Sequence, residues 1–404
     1  MKNSELPHDV SLQIIKEKHR QVKSILKKLD IDCWITFVRE TEVLNEPILP
    51  FIVGNDIVWG AMFIFTLKND VFKKTALVGN FDVLTEKGKG IWDEIIGYKE
   101  SINDHIIRLL EQIQPKKIAL NYSVNDVSAD GLSHGLFLKL KEILKGYEDK
   151  FVSAEGIIQF LRSIKTETEL SLIKKACDLT EDINQSVTKN LRIGRSEFDI
   201  QQEFHEKMNA MEVIESWQRQ SCPAVDAGPL KEMGHVGPSD LLTQKGHTLH
   251  NDFGIKYQRY SSDLQRMWFF GTIDEVPEEL RHAFETVKGA IRKASKTIKP
   301  GMKGFEVDKI ARDYVISRGY EEYAHALGHQ VGRATHDGGT LLGPLWDRYG
   351  NSPNGIIAKN NVFTLELYVK TKNYGMVSLE EMIVITDNGC EFIVPPLEDF
   401  IYVT

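Results

Sequence analysis

The 404-residue sequence is short of cysteine, of excess positive charge and of long apolar runs. Its four cysteines, Cys33, Cys177, Cys222 and Cys390, stand far apart and form no CxxC pair. They supply neither a disulfide framework nor a zinc knuckle, and they fit a reducing cytosol. A net charge of −8 argues against nucleic acid and anionic membrane as partners, since both select basic patches. No run approaches the ~20 apolar residues of a membrane span. The opening MKNSELPHDVSLQIIKEKHR is too charged to contain a signal-peptide core. Internal repeats and low-complexity tracts are missing too. With 42% apolar and 27% charged residues, the composition is that of a globular chain. Its length exceeds one ordinary core, so the expectation is a cytoplasmic protein of two domains.

Along the first part, apolar residues from Val10 to Leu26 recur at helical spacing and predict a helix over 9–29. Short apolar runs follow at 33–38, 60–67, 75–81 and 116–123, with helical patterns at 100–113 and 134–146. Strands alternating with helices predict an α/β domain with a mixed sheet. From about 154 the pattern turns to one or two long helices. Beyond them, helices at 195–211, 276–298 and 304–318 alternate with strand pairs, 246–254 with 259–270 and 361–370 with 375–386. Helices segregated from antiparallel hairpins predict an α+β second domain.

Both strand pairs carry acids among apolar residues. In NDFGIKYQRYSSD, Asp252 faces Asp263 if the turn centres between Tyr257 and Gln258. In VFTLELYVKTKNYGMVSLEE, Glu366 faces Glu380 if the turn centres on Asn373. Directly opposed side chains start about 4.5–5.5 Å apart, so buried acids there repel. Either they line solvated faces or a cation lies between them, and two such hairpins favour the cation. AHALGHQVGRATHDGG adds His325, His329 and His336 within twelve residues, and Gly328 and Gly332 beside the middle one permit close backbone approach. Four carboxylates with one imidazole suit Mn²⁺, Co²⁺, Fe²⁺ or Zn²⁺. The acids suffice to bridge two ions about 3.5–4 Å apart, the spacing that activates water for hydrolysis.

This pattern resembles the pita-bread metallopeptidases, which include methionine aminopeptidase, Xaa-Pro aminopeptidase, prolidase and the related creatinase. DFG, the aspartate eleven residues on, HALGHQVG, NVFTLEL and GMVSLEEMIVIT are similar to the segments bearing that family's ligands in order. The resemblance implies Asp252, Asp263, His329, Glu366 and Glu380 as ligands of two divalent ions, manganese first and Co, Zn or Fe as alternatives. Asp263 and Glu380 would bridge, Asp252 would chelate one ion, and His329 with Glu366 would hold the other. Glu366 would also take a proton from the water between them. EMGHVGPSD and THDGG imply His235 and His336 on the substrate side, with His325 shaping the pocket and Glu381 an acidic neighbour.

FLRSIKTETELSLIKKAC is similar to the family's domain-joining helix, and this favours the two-domain prolidase-like branch. The implied architecture is an N-terminal creatinase/prolidase-like α/β domain over 1–160 and a pita-bread catalytic domain over 161–404. The implied activity is removal of an N-terminal residue from Xaa-Pro peptides, by a chain that forms a homodimer. Two departures bear on substrate. Many relatives have an arginine two residues before the last glutamate, where prolidases use it on a dipeptide carboxylate; here that residue is Ser378. Arg348 is a candidate substitute cation, and SCPAVDAGPLKEMGH differs from the usual segment before the substrate histidine.

Three other readings stand beside this one. A pita-bread hydrolase or lyase could act on a non-peptide small molecule. A pita-bread scaffold could serve as a non-catalytic binding protein, although such proteins tend to lose ligands. GLSHG around Ser133 matches a serine-hydrolase elbow in letters, yet a polar stretch precedes it where the elbow needs an apolar strand.

Overall fold

The computed structural model describes residues 2–229 and 237–404. The chain divides into a first unit, His8–Arg162, and a second formed by Met1–Pro7 with Ser163–Thr404. In the first unit, helix His8–Leu29 forms where helical spacing predicts it and buries Ile14, Ile15, Val22, Ile25 and Leu26. Six strands follow: β1 (Cys33–Val38), β2 (Ala61–Lys68), β3 (Val71–Gly79), β4 (Glu94–Tyr98), β5 (Ile118–Leu120) and β6 (Phe151–Ser153). They form the expected mixed sheet in the order β4-β3-β2-β1-β5-β6, antiparallel at its centre and parallel at both edges. Every residue of β1 is buried because both faces are covered. Trp34, Phe63 and Phe65 pack with the first helix, while Ile35, Ile64 and Leu77 pack with helices Asn103–Ile113 and His134–Ile143. Ser133 has an ordinary role: its Oγ accepts from the Leu136 N–H and caps helix His134–Ile143. No strand leads into it, so the nucleophile-elbow reading fails.

The second unit opens on helix Glu167–Thr188, whose start is fixed by a capping box between Thr166 and Glu169. Its strands are β7 (Ile214–Glu215), β8 (Ala224–Ala227), β9 (Thr248–Phe253), β10 (Ile255–Tyr257), β11 (Tyr260–Ser261), β12 (Leu264–Phe270), β13 (Val362–Lys370), β14 (Met376–Ile385), β15 (Cys390–Phe392) and β16 (Ile401–Val403). The main sheet runs β13-β14-β12-β9-β8, with β15 added to β14 and β16 to β12; β11, β10 and β7 form a smaller one. Helices Glu278–Thr297 and Gly304–Ser317 pack on β13 and β14 through Leu365, Leu367 and Leu379. Phe204 of helix Glu197–Ala210 and Ala176 and Ile183 of helix Glu167–Thr188 pack with Leu249, Phe253 and Trp268. Strand alternation then leaves the opposite side chains of these strands on one shared face. That face carries the acids. No described helix is long and apolar enough to cross a membrane.

Candidate metal centre

The second acid hairpin has the expected register: Glu366 stands opposite Glu380 in an unbroken ladder from Val362↔Val384 to Lys370↔Met376. The first does not. Asp252 pairs with Gln265, and Leu264 pairs with Phe253, two residues out from the predicted alignment. The turn is displaced with it. Gln258 and Arg259 both adopt positive φ, 46° and 70°, and form a two-residue connection between Tyr257 and Tyr260. That backbone matches strand twist, although neither residue type favours it. A slip of two keeps every side chain on its original face, whereas a slip of one would have reversed them all. Asp252 and Asp263 thus share a face as diagonal rather than direct neighbours.

Gln265 also pairs with Glu380, which joins the two hairpins. One row across the sheet now reads Glu366, Glu380, Gln265, Asp252, with Asp263 one step off it. Glu381, the next residue, points the other way. It lies 3.2 Å from the buried Arg266 guanidinium, which also binds Glu181 of helix Glu167–Thr188. Glu381 is part of a structural ion pair there and stands apart from the row.

The imidazole arrives on a segment that runs beside β13. Thr364 N–H donates to His329 O at 3.0 Å, and Glu366 N–H donates to Leu327 O at 2.7 Å. Gly328 makes this approach possible: a Cβ there would lie 2.0 Å from the Thr364 carbonyl oxygen. His329 Nε2 consequently reaches 3.6 Å from Asp263 Oδ2 and 3.5 Å from Glu366 Oε1. One ligand atom from each of Asp263, His329 and Glu380 falls within 4.8 Å of the other two.

Burial and mutual repulsion of the acids dominate the electrostatics of the cluster. Burial, then Asp252 and Glu366, pushes the Asp263 carboxyl well above the usual carboxylate range. Burial followed by Asp263 does the same to Glu380. Glu366 is raised to about 8 by burial and then Asp252. Burial, with His336 beside it, lowers His329 to about 3, so its imidazole is neutral and can ligate. The buried Oε1 of Glu380 has no hydrogen-bond partner among the described residues. Neutral imidazole, clustered acids and an orphaned oxygen fit divalent cations with mixed oxygen and nitrogen ligands.

The other histidines lie around this cluster. His336 is exposed and meets His329 edge to face, with ring centroids 4.2 Å apart. Its loop is braced by a buried ion pair, Lys165 Nζ to Asp337 Oδ2 at 2.9 Å. His325 packs 5.3 Å from the Tyr368 ring, on the strand pair that carries Glu366. His235 lies outside the described residues. Arg348 donates to Ala324 O and sits over the Trp346 ring, so it is committed to its own loop. Sequence reasoning passes over Gln265, His250 and Asp226. Period-two alternation back from Asp252 is a signal that flags His250, and the true register places Gln265 between the acids.

A doubly layered α+β unit with an acid-and-imidazole face, following a mixed-sheet α/β unit, defines a two-domain pita-bread protein of metal-dependent hydrolase type. The model of metallopeptidase family M24 matches residues 171–387, and the chain belongs to that family. It is 30% identical over 265 residues to the Xaa-Pro dipeptidase of Pyrococcus horikoshii, covering 64% of this chain and 69% of that one. An Xaa-Pro dipeptidase structure from Bacillus anthracis matches with a TM-score of 0.71 at 20% identity, over 96% of this chain and 100% of that one. A prolidase structure from Pyrococcus horikoshii matches at 0.67 and 23% identity, over 95% and 100% of the two chains. At these identities the structural matches establish the fold.

Proposed function

We propose that this chain is a dinuclear metallopeptidase that removes the N-terminal residue from Xaa-Pro peptides longer than two residues. The observation that carries the reading is the shared face on which Glu366, Glu380, Asp252 and Asp263 meet His329. Asp263 and Glu380 would hold both ions, Asp252 one of them, and His329 with Glu366 the other. Such ions, when bound, acidify a coordinated water and polarise the scissile carbonyl. Manganese is the proposed metal, with Co, Zn or Fe as alternatives. A homodimer in the cytosol completes the reading.

Within this reading, Glu366 accepts the proton from the attacking water on its carboxylate and returns it to the leaving amine. His336, edge-on to His329 and open to solvent, is placed to donate to the oxyanion or the leaving group. His325, packed on Tyr368, shapes the pocket wall, and His235 contacts substrate. Ser378 narrows the substrate. It is 4% exposed and its hydroxyl contacts Gln265 and the Leu367 carbonyl. Ser378 itself brings no positive charge to a dipeptide carboxylate, whereas an extended peptide would present a neutral amide there.

A chelator-stripped sample reloaded with Mn²⁺ or Co²⁺ would be assayed on Xaa-Pro dipeptides, longer Xaa-Pro peptides and peptides without proline. Metal-dependent cleavage of the longer Xaa-Pro peptides, with dipeptides poor, is the expected outcome. Turnover of none of them would refute the peptidase assignment and leave the non-peptide and binding-protein readings.

A further inference from the structure

The row of ligand candidates contains one member that is not an acid. Gln265 sits between Glu380 and Asp252, directly paired with each through the sheet register. A third carboxylate there would add to a repulsion that already raises its neighbours. An amide of the same shape brings two N–H donors and no charge. Which end of the amide faces which neighbour then decides what it does.

Three buried side chains settle that orientation. Ser378 Oγ donates to Gln265 Oε1. His250 Nε2 lies 3.1 Å from the same Oε1, and its Nδ1 is 2.9 Å from Asp226 Oδ2. Asp226, His250, Gln265 and Ser378 are each 6% exposed or less. They come from four adjacent strands, β8, β9, β12 and β14, on the face that carries the acids. With its oxygen engaged this way, the Gln265 amide N–H₂ is the end left to face Glu380, its direct neighbour across the sheet. Glu380 thereby faces a donor across the sheet, while its Oε1 has no hydrogen-bond partner among the described residues.

We propose that Gln265 is a positioning residue for Glu380 as a metal ligand, with its amide oriented by Ser378 and His250 and the histidine ring anchored by Asp226. Ser378 therefore acts through Gln265: the position where many relatives place a substrate-binding arginine serves ligand geometry in this chain. The inference rests on reading Glu380 as a ligand.

The test is Mn²⁺ affinity, measured by calorimetry and by competition with a chromogenic chelator, on the full-length chain stripped of metal. Gln265→Met keeps the volume and removes both hydrogen-bonding ends. It is expected to weaken Mn²⁺ binding by ~10–100-fold, the range for partners that orient metal ligands. Ser378→Ala should weaken it less, and Ser378→Thr, which keeps the hydroxyl, should restore it. The Gln265→Met/Ser378→Ala double variant should match Gln265→Met alone, because Ser378 has nothing left to orient. Additive losses, or an affinity unchanged in Gln265→Met, would overturn the proposal. If Gln265→Met fails to fold, the Ser378 pair decides: equal affinity in the Ala and Thr variants overturns it, and loss with rescue supports it. Wild-type protein that binds no Mn²⁺ would instead remove the metal-site reading on which the inference stands.

Discussion

The two acid hairpins, β9 with β12 and β13 with β14, do the same job by different construction. The second is one continuous ladder of nine residue pairs closed by a turn at Thr371–Gly375, where Gly375 has φ 76°. The first is broken at Gly254 and at Ser262–Asp263, then resumes in a short separate sheet. The break is tight, since a Cβ on Gly254 would lie 2.0 Å from the Ser262 carbonyl oxygen. The intact hairpin presents its two acids face to face, while the broken one offsets Asp263 from the row toward His329. An unbroken pair of ladders would align acids in one line. The kink is what gives the cluster a third dimension, and a cation needs ligands from several directions.

The strongest way to separate the hairpins is through chemistry. Glu366→Gln, on the intact hairpin, removes the proposed proton acceptor and should lower kcat by ~10²–10⁴-fold. Mn²⁺ content by elemental analysis should stay near wild type, since an amide oxygen can still ligate. Asp263→Ala, on the broken hairpin, should instead lose metal and activity together. If both variants kept their metal and lost activity equally, the division of roles between hairpins would be wrong.

Metal removal tests whether the cation joins the hairpins. At free metal about 1,000 times Kd, binding stabilises the folded state by about 4 kcal/mol. Stripping it should then lower Tm by roughly 8–16 °C. Hydrogen exchange should quicken in β9, β12, β13 and β14 together, with little change in β1–β6. Faster exchange in one hairpin alone would show that the ions do not bridge them.

The pH dependence of the metal-free chain has a definite sign. Burial raises Glu366 from 4.5 to about 8, so the folded state holds its proton more firmly than the unfolded state. Such a group contributes stability that is fully present below about pH 4.5 and is lost as pH rises through 8. The metal-free stability should fall across that window, by up to about 5 kcal/mol from this residue, and Tm should fall with it. Glu366→Gln should flatten the fall, and saturating Mn²⁺ should reverse it because the ion stabilises the charged carboxylate. A metal-free Tm that rises from pH 5 to 8 would show that the acids are not held protonated.

Much of this architecture is legible in the sequence. The mixed sheet, the α+β second unit and both hairpins follow from period-two and period-3.6 patterning. The Glu366–Glu380 register is readable because Asn373, Tyr374 and Gly375 are ordinary turn residues. The Asp252 register is not, because Gln258 and Arg259 occupy a conformation that their side chains disfavour. Gly328 hints at the approach of His329, yet its partner strand is a long-range contact that no local pattern encodes. Gln265 is half hidden: period-two spacing from Asp263 puts it on the acid face, but its role comes from two neighbours across the sheet.

The smallest expected effect addresses what sets that first register. If the strained turn merely tolerates a pairing fixed elsewhere, giving it better turn residues should stabilise the chain without shifting any strand. The double substitution Gln258→Asn and Arg259→Gly supplies the pair that favours two left-handed residues. It also removes a cation whose charge helps lower the pKa of Lys256. The gain should be ~1 kcal/mol in unfolding free energy, read as a higher denaturant midpoint at unchanged slope, since a non-glycine residue at positive φ costs roughly 1–2 kcal/mol. Metal affinity should not change, because Gly254 against Ser262 O still fixes where the strand breaks. Altered Mn²⁺ affinity with the new turn would locate control of the register in the turn and remove it from the break. Gly254→Ala would then be the opposite case, costing far more than the turn restores and pulling Asp263 away from His329.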